Sequence, residues 1–136
     1  MLNNRSIPKA AIIPEIPYPD VGSAVAWLCD RFQFVERLRI GNHRSQLTFG
    51  SGALVVTAGS DRPITQYTVM VRVSDVERLY GQVAQKGVRI LNPLAVYPYG
   101  EMQFTAEDLA GHRWVFSQTI ADVDPKEWGG EYFEAS

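Results

Sequence analysis

Apolar and polar positions alternate along this chain in two registers that recur in the same order twice. In Asp20–Phe32 (DVGSAVAWLCDRF) apolar residues fall at Val21, Ala24, Val25, Leu28 and Phe32, the spacing of one helix face. Pro19 and Asp20 supply the start, with Asp20 as N-cap. Asp75–Lys86 (DVERLYGQVAQK) repeats the design with Val76, Leu79, Tyr80 and Val83, and Gly87 stops it. The offset from Asp20 to Asp75 is 55 positions. Strand-like segments precede each helix, at Ala10–Tyr18 and Gln66–Val73. Three more follow each one: Phe34–Ile40, His43–Phe49 and Ala53–Ala58, then Val88–Val96, Met102–Glu107 and Arg113–Gln118. Gly41–Asn42 and Gly50–Ser51–Gly52 carry hairpin chemistry, and Asp108–His112 reads as a tight turn.

Each half therefore reads strand-helix-strand-strand-strand. The expected fold is α+β: two βαβββ modules in one domain, with curved mixed sheets enclosing a cleft and helices outside. Module 1 spans about 8–59, module 2 about 64–120, and a tail runs over 121–136. Ser60–Pro63 would link the modules.

Composition narrows the function classes. A length of 136 residues suits a single domain with a real core. A net charge of −2 offers no basic field for phosphate backbones, so a nucleic-acid partner is not expected. No apolar run is long enough to span a membrane, and the N-terminus lacks a secretory pattern. One cysteine, Cys29, excludes an intramolecular disulfide and fits a cytoplasmic setting. It reads as a buried small apolar residue on the first helix. There is no phosphate-binding glycine loop and no nucleophile elbow.

Asp20–Phe34, Val73–Gly87 and Tyr97–Phe116 together resemble the vicinal oxygen chelate superfamily of glyoxalases, extradiol dioxygenases and bleomycin resistance proteins. The likeness extends from Ala10 to about Gln118 and includes a Pro-aromatic-Gly approach followed by an Asp-x-x-Gly turn. Catalytic members hold a divalent metal with His, Glu or Gln. Projected onto this chain, those positions fall at about Ile13, Val55 or Val56, Thr68 and Val115. None is a standard ligand, so the resemblance implies a protein without a metal or other cofactor and without assigned catalytic residues.

The resemblance then points to the antibiotic-binding members, which sequester a small aromatic ligand at a homodimer interface. Pro98–Tyr99–Gly100 matches their aromatic approach. Tyr99, with Tyr97 beside it, either stacks on a ligand or packs the loop against the sheet edge. His43 on the hairpin either meets a ligand or is simply exposed. Strand alternation from the projected positions turns Ile13, Glu15, Pro17, Thr68, Met70 and Arg72 to the cleft. Glu15 and Arg72 then orient a ligand or pair with each other. Met70 and Met102 either adapt to a flat ligand or fill core. Trp27, Trp114 and Phe116 are expected as core anchors, and Trp128 as an aromatic plug in the tail. The alternative function is a glyoxalase-like lyase or isomerase acting on a small metabolite.

Overall fold

The computed structural model describes residues 4–59 and 67–131. Two acidic caps set its helices. Asp20 lies in the extended region and its carboxylate accepts from Ser23 N–H at 3.1 Å, starting α1 (Val21–Phe32). Val21, Ala24, Val25, Leu28 and Phe32 form its buried stripe. Asp75 accepts from Arg78 N–H at 3.1 Å and starts α2 (Val76–Gln85), which buries Val76, Leu79 and Val83. Gly87 takes φ +73° just past its end, and Val88 N–H closes back on the Val83 carbonyl at 3.3 Å.

The strands are β1 (Glu15–Tyr18), β2 (Val35–Ile40), β3 (Arg44–Phe49), β4 (Gly52–Ala58), β5 (Thr68–Arg72), β6 (Arg89–Tyr97), β7 (Glu101–Glu107) and β8 (Arg113–Thr119). They form two four-stranded mixed sheets with the same order, β1-β4-β3-β2 and β5-β8-β7-β6. In each, the first strand runs parallel to the last and the remaining pairs are antiparallel. The chain divides into two compact units, one holding β1–β4 with α1, the other β5–β8 with α2. The architecture is α+β with a repeated βαβββ module. The expected linker Ser60–Pro63 lies outside the described residues.

β1 is shorter than its apolar pattern suggests. Residues 10–14 are not strand, although the Pro14 carbonyl still accepts Val55 N–H at 2.8 Å. Prolines 14 and 17 lack the N–H a ladder needs, and β1 is accordingly an edge strand. Alternation along it is clean. Ile16 and Tyr18 are buried with Leu54, Val56 and Leu47, while Glu15 is exposed on the opposite side with Pro17 partly covered.

In the second unit, Trp114 and Phe116 are fully buried. Phe104 stacks on Phe116 at 5.2 Å and meets Tyr80 of α2 edge-on at 5.1 Å. Trp27 differs from its expected role. It is only half-buried on α1, edge-on to Phe32 at 4.9 Å, with the Arg31 guanidinium 5.2 Å from its ring. An indole next to an arginine can be covered by that side chain instead of by core. Cys29 is likewise half-buried, and burial pushes its thiol above the usual range.

Candidate functional site

The side of the second sheet that faces away from α2 gathers polar and aromatic groups. Register defines it. Met70 lies opposite Val115, and Arg72 opposite Ser117. Ser117 pairs with Gln103, which pairs with Ala95, and Glu101 pairs with both Thr119 and Tyr97. Met70 is 62% exposed. Met102 falls on the other side of β7, the side of Phe104 and Ala106, so it does not share a face with Met70.

The β6–β7 turn supplies the aromatics. Gly100 N–H donates to the Tyr97 carbonyl at 3.1 Å, and Gly100 sits at φ +83°. Tyr97 and Tyr99 stack nearly parallel, with ring centroids 5.5 Å apart and planes 17° apart. Trp128, on a short 3-10 turn (Pro125–Trp128), meets Tyr99 edge-on at 5.5 Å. The tail is pinned there because Ile120 and Ala121 N–H both donate to the Gly100 carbonyl, at 2.9 and 3.3 Å.

A hydrogen-bonded chain runs inward from this row. Tyr99 O–H donates to Gln103 Oε1 at 3.1 Å, and Gln103 Nε2 donates to Ser117 Oγ at 3.0 Å. Ser117 O–H donates to Glu101 Oε1 at 2.6 Å. That last bond, helped by Thr119 and the Arg72 charge against partial burial, holds the Glu101 carboxyl below its usual range. Desolvation, with Tyr97 and Glu101 adding to it, pushes the Tyr99 phenol up. Glu101 is therefore an anion at neutral pH and Tyr99 a neutral donor. Arg72 is exposed and makes no ion pair with any described residue, although it feels the Glu101 charge.

The other expected residues lie in the first unit. Glu15 is ion-paired with Arg44, the residue beside Thr57 on β3. It is thus not paired with Arg72. His43 sits exposed in the β2–β3 turn, where its carbonyl accepts Ala58 N–H at 3.0 Å. His112 is buried in the second unit, with Nδ1 2.8 Å from Tyr67 Oη. Among the described residues no three His, Cys, Asp or Glu side chains converge as a metal-binding group. Of the positions projected for the family's metal, Ile13 lies ahead of β1, Val55 and its alternative Val56 are buried, Thr68 opens β5 and Val115 pairs with Met70. That set does not fit a metal.

Glu101, Gln103 and Ser117 escaped the sequence reading. The signal was present in Glu101–Glu107 (EMQFTAE), where polar residues at alternate positions oppose Met102, Phe104 and Ala106.

Paired βαβββ modules of this order define a class of small scaffolds that support several chemistries. The chain belongs to the glyoxalase/bleomycin resistance protein/dioxygenase superfamily, whose family model matches residues 13–116. Among solved structures, it is similar to TioX from Micromonospora sp. ML1, at 31% identity and a TM-score of 0.70, covering 80% of this chain and 98% of that one. It also resembles a glyoxalase/bleomycin resistance protein/dioxygenase from Alicyclobacillus acidocaldarius, at 19% identity and TM-score 0.68, covering 85% and 95%. A lactoylglutathione lyase from Agrobacterium tumefaciens shares the fold at 16% identity and TM-score 0.67, covering 82% and 94%. No curated protein matches by sequence.

Proposed function

We propose that this protein binds a small aromatic molecule, of the natural-product or antibiotic kind, and sequesters it without metal chemistry. The observation that carries the reading is the aromatic row Tyr97–Tyr99–Trp128 set beside the polar chain Gln103–Ser117–Glu101 on one sheet face. Flat polarisable rings stack on planar ligands, and the polar chain fixes the ring that would stack. Exposed Met70 gives adaptable apolar cover. Arg72, which makes no ion pair with a described residue, suits a carboxylate or other acceptor on the ligand. Membership in a superfamily that includes bleomycin resistance proteins supports the same reading. Homodimerisation and a ligand contact from His43 belong to this proposal too.

Calorimetric titration with planar heteroaromatic antibiotics tests it. Tyr99→Ala should weaken binding by roughly 1–3 kcal/mol, the scale of a lost aromatic anchor. Tyr99→Phe should retain most of the affinity, because it keeps the ring and loses only the link to Gln103. Binding that ignores Tyr99→Ala, or conversion of a metabolite by the purified protein, would overturn the sequestering role.

A further inference from the structure

The first sheet's face opposite α1 differs from its counterpart in the second unit. Where the second pairs half-buried Val115 with half-buried Thr105, the first pairs Val55 with Gln46, only 4% and 3% exposed. A buried glutamine needs partners at both ends of its amide. Gln46 Oε1 accepts from Arg37 Nη1 at 2.6 Å, and Gln46 Nε2 donates to the Ser6 carbonyl at 2.7 Å. Arg37 Nη2 donates to the Arg5 carbonyl at 2.6 Å. Two side chains thus grip two successive main-chain carbonyls, and these bonds read no side chain of the segment they hold.

Arg37 owes its aim to a bulge. Pairing steps from Glu36↔Leu47 to Leu38↔Gln46 and leaves Arg37 unpaired. Bulges turn a side chain out of the regular alternation. Among the described residues, little else holds the gripped segment. Residues Asn4–Ile7 are exposed, and Asn4 mainly folds the segment on itself, its Oδ1 accepting Ser6 N–H at 3.0 Å. Pro8 alone is buried. Beside it, Arg37 also lines a surface recess of about 430 Å³ with Pro8, Lys9, Thr48 and Ala53.

We propose that Arg37 and Gln46 form a second binding site, for an amide- or ester-bearing chain that presents successive carbonyl oxygens, and that residues 4–8 are its tethered occupant. A guanidinium and a carboxamide N–H accept any such oxygen, the charged donor more strongly. Replacing the segment with a ligand exchanges like bonds, so the tether decides the competition. A short flexible tether acts as a local concentration in the millimolar range. A free ligand wins when the segment is loosened or when the ligand gains further contacts in the recess. This site lies wholly in the first unit and is independent of the aromatic row.

The test uses the full-length chain and acetyl-Arg-Ser-N-methylamide, which copies the held carbonyls. The side-chain amide resonances of Gln46 report occupancy by NMR. In Pro8→Asp, which places a charge at the segment's one buried side chain, the probe should saturate at concentrations roughly tenfold or more below those for wild type. Adding Arg37→Ala should abolish the response. Should Pro8→Asp fail to fold, or leave the Gln46 resonances unmoved before probe is added, Pro8→Gly serves in its place. Equal titrations in wild type and the loosened variant, no response in either, or a response that survives Arg37→Ala overturns the proposal.

Discussion

At Gly100 a single backbone position shapes the aromatic site. A Cβ there would stand 2.3 Å from the Ala121 carbonyl oxygen, and φ is +83°. Gly100→Ala should therefore lower thermal stability by more than the roughly 1–2 kcal/mol that left-handed backbone alone costs. It should also loosen Trp128, since the Gly100 carbonyl accepts the Ile120 and Ala121 N–H groups that hold the tail. Calorimetric melting checks the first effect. Glu101 makes a different prediction. Its folded pKa lies below the reference value of 4.5, through the Ser117 bond first and Thr119 and Arg72 after it. The stability it contributes is present in full above that reference and is lost as pH falls through the depressed folded value. Glu101→Gln should melt lower than wild type at neutral pH, with the gap closing as acid is added from about pH 5 downward. A gap that widens in acid would sink this assignment. Tyr99 could be picked out from its Pro-aromatic-Gly setting, but Gln103 and Ser117 could not be joined to it in sequence. Their link crosses from β7 to β8, and only register reveals which residues on two strands stand side by side.

At the level of elements, both helices were legible because cap, stripe and stop agree within one segment. Gln118 adds a tertiary reinforcement that no local pattern encodes: its Oε1, on β8, accepts Val76 N–H at 2.9 Å, satisfying a first-turn donor of α2. The β7–β8 hairpin shows the same mixture. Its turn at Asp108–His112 was readable, whereas its internal bracing was not. Asp108 Oδ1 accepts His112 N–H and Oδ2 accepts Trp114 Nε1, each at 3.0 Å. All three residues are buried. Asp108→Ala removes the acceptor from both bonds, at roughly 1–3 kcal/mol each. Chemical denaturation should show a loss of that order, larger than for any exposed aspartate. The overextended reading of β1 has an equally local cause, because an apolar run says nothing about N–H groups that proline removes.

On the scale of the whole molecule, the repeat from Asp20 to Asp75 foretold two modules of equal topology, and two sheets of identical strand order are found. The repeat did not foretell that the modules use their faces away from the helices differently. One is gripped by the chain's own N-terminal residues, which fall outside the matched stretch 13–116, and the other carries Met70, Arg72 and the aromatic row. Because the positions projected for the family's metal carry Ile13, Val55 or Val56, Thr68 and Val115, none a standard ligand, added zinc or nickel should leave the melting temperature unchanged. A ligand that binds only the native state raises it by RT ln(1 + [L]/Kd), so a saturable rise with stoichiometric metal would refute that expectation. The three indoles carry a last consequence. Trp114 is fully buried against a carboxylate, Trp27 is half-covered by a guanidinium, and Trp128 is 46% exposed at the end of the aromatic row. Their emission should therefore separate into blue, intermediate and red components, with a soluble quencher reaching Trp128 first. The protein carries its own set of optical labels, one for the interior of the second unit, one for α1 and one for the aromatic row, with no dye attached.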